Sequence, residues 1–131
     1  MTIEVRAAHA DDADALTRLR VSMFEAMGDA RLSDPAWQQA ARRWFVSHVD
    51  DPDVALRVVE VDGEIVAGAV CHVRTHLPSP GNVSGRLATI SNVSTFAEHR
   101  GHGYGRLAFE AVLAWAQDSS RAEVADLFAT G

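Results

Sequence analysis

The chain has 131 residues, 47% of them hydrophobic and 23% charged, with a formal net charge of -6 at neutral pH. That length has room for one domain with a core of its own, and the balance excludes a disordered tail. An acidic chain repels a phosphate backbone, so sequence-independent nucleic-acid binding is disfavoured.

All 12 cationic side chains are arginine, which removes Schiff-base lysine chemistry and the lysine of a nucleotide-cradling P-loop together. Cys71 is the only cysteine, so an internal disulfide framework and a thiolate metal cluster are excluded. Met1 to Arg6 carry no apolar run of the signal-peptide kind, and no stretch approaches the ~20 apolar residues of a membrane span. The expectation is a cytoplasmic protein with no membrane partner. The sequons Asn82-Val83-Ser84 and Asn92-Val93-Ser94 then read as chance matches.

Residues 3–8 predict a short strand. From about residue 10, Leu16, Leu19, Met23, Phe24 and Met27 fall three and four apart, the stripe of an amphipathic helix. Asp11, Asp12 and Asp14 suit the positive end of its dipole, and Gly28 marks its stop. Asp34-Pro35 opens a second helix. Its expected buried face is Trp37, Ala41, Trp44, Phe45 and Val49, read as core packing rather than a ligand box.

Val54 to Val61 and Glu64 to Arg74 predict a hairpin turning at Asp62-Gly63. On the second strand Ile65, Ala67, Ala69, Cys71 and Val73 share one face, so Cys71 reads as a small buried hydrophobe. After the loop Thr75–Gly85, a strand over about Leu87–Phe96 leads through a glycine-rich turn into a helix over Tyr104–Gln117, with Leu107, Ala108, Ala111, Val112 and Trp115 inward. A last strand is expected over Ala122–Phe128. The order β-α-α-β-β-β-α-β implies an α/β fold: a mixed sheet with antiparallel N-terminal strands, a parallel pair near the C-terminus and flanking helices.

The segment Arg100-Gly101-His102-Gly103-Tyr104-Gly105-Arg106 carries the chemistry. Alternate glycines strip Cβ atoms from the loop, so the backbone can approach a ligand and aim several N–H groups at one point. The following helix adds its unsatisfied donors, which makes a phosphate or pyrophosphate the natural occupant. Arg100 and Arg106 bracket the loop and offer charge-assisted hydrogen bonds. A dinucleotide turn needs G-x-G-x-x-G early in a βαβ unit; here the spacing is G-x-G-x-G, late and after a hairpin, although Glu123 stands about 20 positions on. A P-loop fails for want of lysine, and an ordinary flexible connection is the remaining alternative.

The segment from Ile90 through Leu107 resembles the acetyl-CoA-binding motif of the GNAT superfamily of N-acetyltransferases: a strand, then R/Q-x-x-G-x-G/A, filled by Arg100, Gly103 and Gly105, then a helix. The resemblance extends over nearly the whole chain. A proline often stands three positions before the arginine; here the residue is Ala97. The resemblance implies that the backbone of Val93 and Thr95, with Ser94 between them, binds the pantetheine arm beside a β-bulge. It implies that the amides of Gly101, His102, Gly103, Tyr104, Gly105 and Arg106 hold the CoA pyrophosphate, and that the Val93 N–H steadies the oxyanion. The reaction implied is transfer of an acetyl group from acetyl-CoA to an amine of a small molecule or peptide. The alternatives are a non-catalytic acyl-CoA-binding regulatory domain and, from the same glycine loop, a nucleotide-binding module.

The family commonly protonates the leaving thiolate with a tyrosine on a later helix, whereas the one tyrosine here, Tyr104, lies in the phosphate loop. The expectation is therefore one domain over residues 1–131 without the closing helix and strands, and a homodimer is one way to cover the open sheet edge. The catalytic acid and base are left open. His72 and His76, about 13 Å apart along a strand, make a poor metal pair, so no metal site is expected. His99 and His102 flank the phosphate loop, Ser91 and Asn92 can face an acceptor, and Glu25, Glu60 and Glu64 are candidates by chemistry alone. Acceptor pockets are expected among the first two helices, the loop Gly28–Ser33 and the loop Thr75–Gly85.

Overall fold

Asp62 and Gly63 have φ of 51° and 83°, the left-handed pair that lets a two-residue turn follow the twist of its strands. They join β2 (Val54–Val61) to β3 (Glu64–Thr75), the hairpin at the centre of the molecule. The computed structural model describes residues 1–118 and the backbone of residues 124–127. Five strands are ordered β1-β2-β3-β4-β5, with β1 at Ile3–Ala7, β4 at Arg86–Thr95 and β5 at Val124–Leu127. Neighbours among the first four pair antiparallel, and Leu87–Ile90 of β4 pair in parallel with β5. Ala122, Glu123 and Phe128 lie outside the described residues.

One face of the sheet carries α3 (Tyr104–Asp118) over an apolar core that includes Val59, Val66, Cys71, Ile90, Ala108 and Val112. The other carries α1 (Ala13–Ala26) and α2 (Pro35–His48) over Leu16, Leu19, Phe45, Leu56, Val58 and Val70. The Asp34 carboxylate accepts the Ala36 N–H at 2.9 Å, which starts α2 at its proline. At the head of α1, Arg6 from β1 clamps Asp12 (2.7 and 3.0 Å) and Glu60 of β2 (2.6 and 3.0 Å). That bond holds the Asp12 carboxyl below the usual carboxylate range.

Three packing expectations need correction. Ile65 leaves the face of Ala67, Ala69, Cys71 and Val73 and packs on the α1–α2 side. The register steps from Val59↔Ala67 to Glu60↔Ile65, so Val66 is an extra residue and reverses the alternation. Met27, 56% exposed, lies beyond the end of α1, where helical periodicity no longer points it inward. On α2 Phe45 is buried, and Ala41 and the capping Val49 pack partly buried against the same core, but Trp44 is 36% exposed. The helix stands off the sheet, leaving its aromatic row beside a cleft.

Candidate functional site

The strand carrying the motif is broken where its chemistry was expected. Gly68 pairs with Ser94 and Val70 with Ser91, so Asn92 and Val93 together oppose Ala69. Asn92 takes the extra turn with φ of 58°, an αL excursion that asparagine tolerates better than most residues. Its Oδ1 accepts a hydrogen bond from Arg20 of α1 at 2.9 Å. Ser94 is buried too, and its hydroxyl donates to the Leu19 carbonyl at 2.9 Å. These two side chains lash α1 to the bulge. On the other edge the described pairing with β5 ends at Ile90↔Leu127, while β4 continues to Thr95.

The turn that follows reaches α3 through Gly101 and Gly103, with φ of 86° and 81°. A Cβ built on either meets nothing within 4 Å among the described residues, so the space beside this backbone is open. Among the described residues, no amide from Gly101 to Arg106 donates a backbone hydrogen bond; the first to do so is Leu107, to the Gly103 carbonyl at 3.1 Å. Consecutive unused donors at a helix start form a ready anion cradle. Gly105 serves packing instead, because a Cβ there would come within 2.9 Å of Thr95 Oγ1.

The loop's side chains are less free than its backbone. Arg100 donates through Nε to the Thr95 carbonyl at 3.1 Å and through its terminal nitrogen to Ser22 Oγ at 3.3 Å. Arg106 donates to Glu110 one turn along at 3.1 Å. Tyr104 is buried in the α3 core, with its hydroxyl 3.6 Å from Met1 Sδ and the exposed His102 ring stacked on it. A small hollow of about 290 Å³ lies between Met23, Ala26, Ser94, Thr95 and Arg100.

A cleft of about 410 Å³ opens between α2 and the sheet. Trp37, Trp44 and Phe45 form its aromatic wall, and Val70, Ser91 and Asn92 its floor. His72, Arg74 and Arg20 supply its polar groups. Burial, reinforced by the cation of Arg74, pushes the His72 imidazole below its ordinary pKa. Arg20 also lies over the Phe24 ring, 5.0 Å from its centre. A second hollow shares Arg20 and Trp37 with this cleft and reaches the loop before α2 through Asp29, Arg31 and Leu32.

Of the aromatic row expected in the core, Phe45 is buried there while Trp37 and Trp44 line the cleft, and Ser91 and Asn92 line it too. The loop Thr75–Gly85 contributes no side chain to either hollow. Arg20 and Arg74 escaped the sequence reading. Each had a signal: Arg20 interrupts the apolar stripe four residues after Leu16, and Arg74 alternates with Val70 and His72 on one strand face. Glu60 is occupied by Arg6, and Glu25 and Glu64 are exposed. Burial pushes the Cys71 thiol up to about 11, and the side chain lies inside the α3 core. Among the described residues no three histidine, cysteine or acidic side chains gather as a metal set, and no helix is long and apolar enough to cross a membrane.

Residues 14–129 match the acetyltransferase (GNAT) family. No curated protein matches the sequence significantly. The fold resembles that of a GCN5-related N-acetyltransferase from Ralstonia eutropha JMP134, at 26% identity and a TM-score of 0.85, over 98% of this chain and 84% of that one. It also resembles a predicted acetyltransferase with acetyl-CoA from Clostridium acetobutylicum, at 20% identity, a TM-score of 0.84 and coverage of 98% and 82%. A ribosomal-protein-alanine N-acetyltransferase from Brucella melitensis biovar Abortus 2308 aligns over 98% and 80% of the two chains, at 19% identity and a TM-score of 0.63. The chain belongs to the GNAT family of acetyltransferases, acyltransferase enzymes that draw on acetyl-CoA.

Proposed function

We propose that this protein transfers the acetyl group of acetyl-CoA to an amine of a small molecule or peptide, with the cleft beside α2 as the acceptor site. The observation that carries the reading is the run of unused amides from Gly101 to Arg106 beside open space. A diphosphate is the group whose clustered oxygens match such donors. Residues 91–95 of β4, past the last described pair with β5, offer an edge on which an extended amide chain can add as a strand would.

When bound, the thioester supplies an activated acetyl carbon. The amine nitrogen bonds to that carbon, the carbon–sulfur bond breaks, and the departing thiol takes up the proton that the amine gives off. His72 is assigned as the base that first takes this proton from the amine and then releases it for the departing thiolate, since a neutral imidazole in the cleft can accept it. The Val93 N–H, next to the bulge, is assigned to the developing oxyanion. Holding amine and acetyl group in line supplies much of the remaining rate.

Calorimetric titration with acetyl-CoA, CoA, ATP and NAD, followed by CoA release with an amine panel, tests this. Acetyl-CoA and CoA are expected to bind in preference to both nucleotides, and at least one amine to release CoA. Preference for ATP or NAD would assign the loop to a nucleotide. CoA binding without release from any amine would leave an acyl-CoA-binding domain.

A further inference from the structure

The cleft beside α2 has a charge opposite to that of the chain. Acidic residues outnumber basic ones by 18 to 12 overall, yet among the described residues the cleft holds two guanidinium groups, Arg20 and Arg74, and no carboxylate. The carboxylates in the neighbouring hollow are committed elsewhere: Asp29 to Arg31 at 2.8 Å, and Asp34 to the start of α2. Arg20 is fixed by Asn92 and Phe24, neither of which cancels its charge, and Arg74 forms no ion pair among the described residues. Guanidinium keeps its charge at any working pH and grips a planar carboxylate with paired donors. The opposite wall, Trp37 and Trp44, is aromatic and suits a flat apolar body.

From this juxtaposition we infer that the acceptor is an α-amino acid with an aromatic or large apolar side chain, its free carboxylate held by Arg74 and Arg20 and its side chain on the aromatic wall. The inference rests on the acetyl-transfer reading for the fate of the amine, but the carboxylate site stands or falls separately. Polyamines and other polycations are disfavoured, because the described residues of the cleft bring two positive charges and no negative charge to receive them. An internal peptide segment lacks the carboxylate that the arginines await.

The test is binding, independent of turnover. The intact protein is titrated calorimetrically with N-acetyl-L-phenylalanine and with its neutral carboxamide, which differ only in the carboxylate. The acid is expected to bind about tenfold tighter at low salt, the scale of a hydrogen-bonded charge pair. In Arg74→Gln that ratio is expected to shrink, since Arg20 alone is left to hold the carboxylate, while acetyl-CoA affinity stays at the wild-type value. Equal binding of acid and amide, tighter binding of the amide, binding of neither, or a ratio unchanged in Arg74→Gln overturns the assignment. CoA release with free L-phenylalanine is read in parallel. If the acid preference holds but no amine of the panel releases CoA, the carboxylate site stands and acetyl transfer fails; if another amine releases CoA while the preference is absent, transfer stands and this acceptor fails.

Discussion

The two faces of the sheet are built on different terms. Under α3 the core is apolar, with small residues such as Ala67, Ala69, Ala88 and Ala108 packed between strand and helix, and the chemistry at its end is all backbone. On the α1–α2 face, polar side chains reach inward: Ser94 onto Leu19, Arg20 onto Asn92, and His72 and Arg74 into an aromatic cleft. A backbone cradle recognises what is common to every molecule of one carrier, because amides offer only geometry. A side-chain cleft recognises what differs between acceptors, because each residue there can change without disturbing the cradle.

Gly103→Val probes the backbone side with the largest expected effect. CoA affinity is expected to fall about 100-fold, roughly 2.7 kcal/mol, because the new side chain fills the open space beside the loop. A φ of 81° is strained for valine, by about 1–2 kcal/mol, so thermal unfolding drops by only a few degrees. Calorimetry and a melting curve separate the two effects, and unchanged CoA affinity would remove the loop from the site.

His72→Gln probes the cleft side. Its kcat is expected to fall about 100-fold while acetyl-CoA affinity stays the same, which makes the two faces separable. Because burial keeps the folded-state pKa below the ordinary 6.5, the wild-type rate falls on the acid side of that value, as the imidazole gains a proton. Stability moves the same way. The unfolded chain takes up the proton first, so His72's contribution is complete above about pH 6.5 and declines as pH drops. A flat pH–rate profile through that window would exclude His72 as the base.

Arg6→Gln tests the clamp that joins the start of α1 to the sheet. Leaving Asp12 and Glu60 without their cation is expected to cost about 1–3 kcal/mol in denaturant unfolding. Asp12's folded pKa lies below the ordinary 3.8, so its stabilisation is present above that value and is lost as pH falls through the folded pKa. That acid-side loss should shrink in the variant. Ser94→Ala is the smallest change, about 1 kcal/mol, since the hydroxyl leaves one helix carbonyl that keeps its helical partner. A loss confined to stability, with CoA affinity intact, would limit Ser94 to joining α1 and β4.

The cradle is legible in the amino-acid sequence because its signals are local. Glycine at 101 and 103 reports backbone that needs positive φ and open space, and Tyr104 starts a helix whose first donors have no partner by construction. The hairpin at Asp62-Gly63 and the cap at Asp34 are legible for the same reason. The cleft beside α2 is not. Trp37, Trp44 and Phe45 repeat at helical spacing whether they meet a core or a cavity, and that outcome depends on how far α2 stands from a sheet remote in sequence. Ile65 misleads likewise, through one inserted residue that only strand register reveals.

Sequence alone determined the element order, the hairpin and the glycine-rich turn into α3, since turn chemistry and helix starts are decided within a few residues. Tertiary structure decided the bulge at Asn92–Val93, the union of Arg20 with Asn92 across 72 positions, and the placement of two arginines and a histidine against an aromatic wall. Those features arise from contacts between elements far apart in the chain, where register and helix standoff, not local propensity, set which side chains meet.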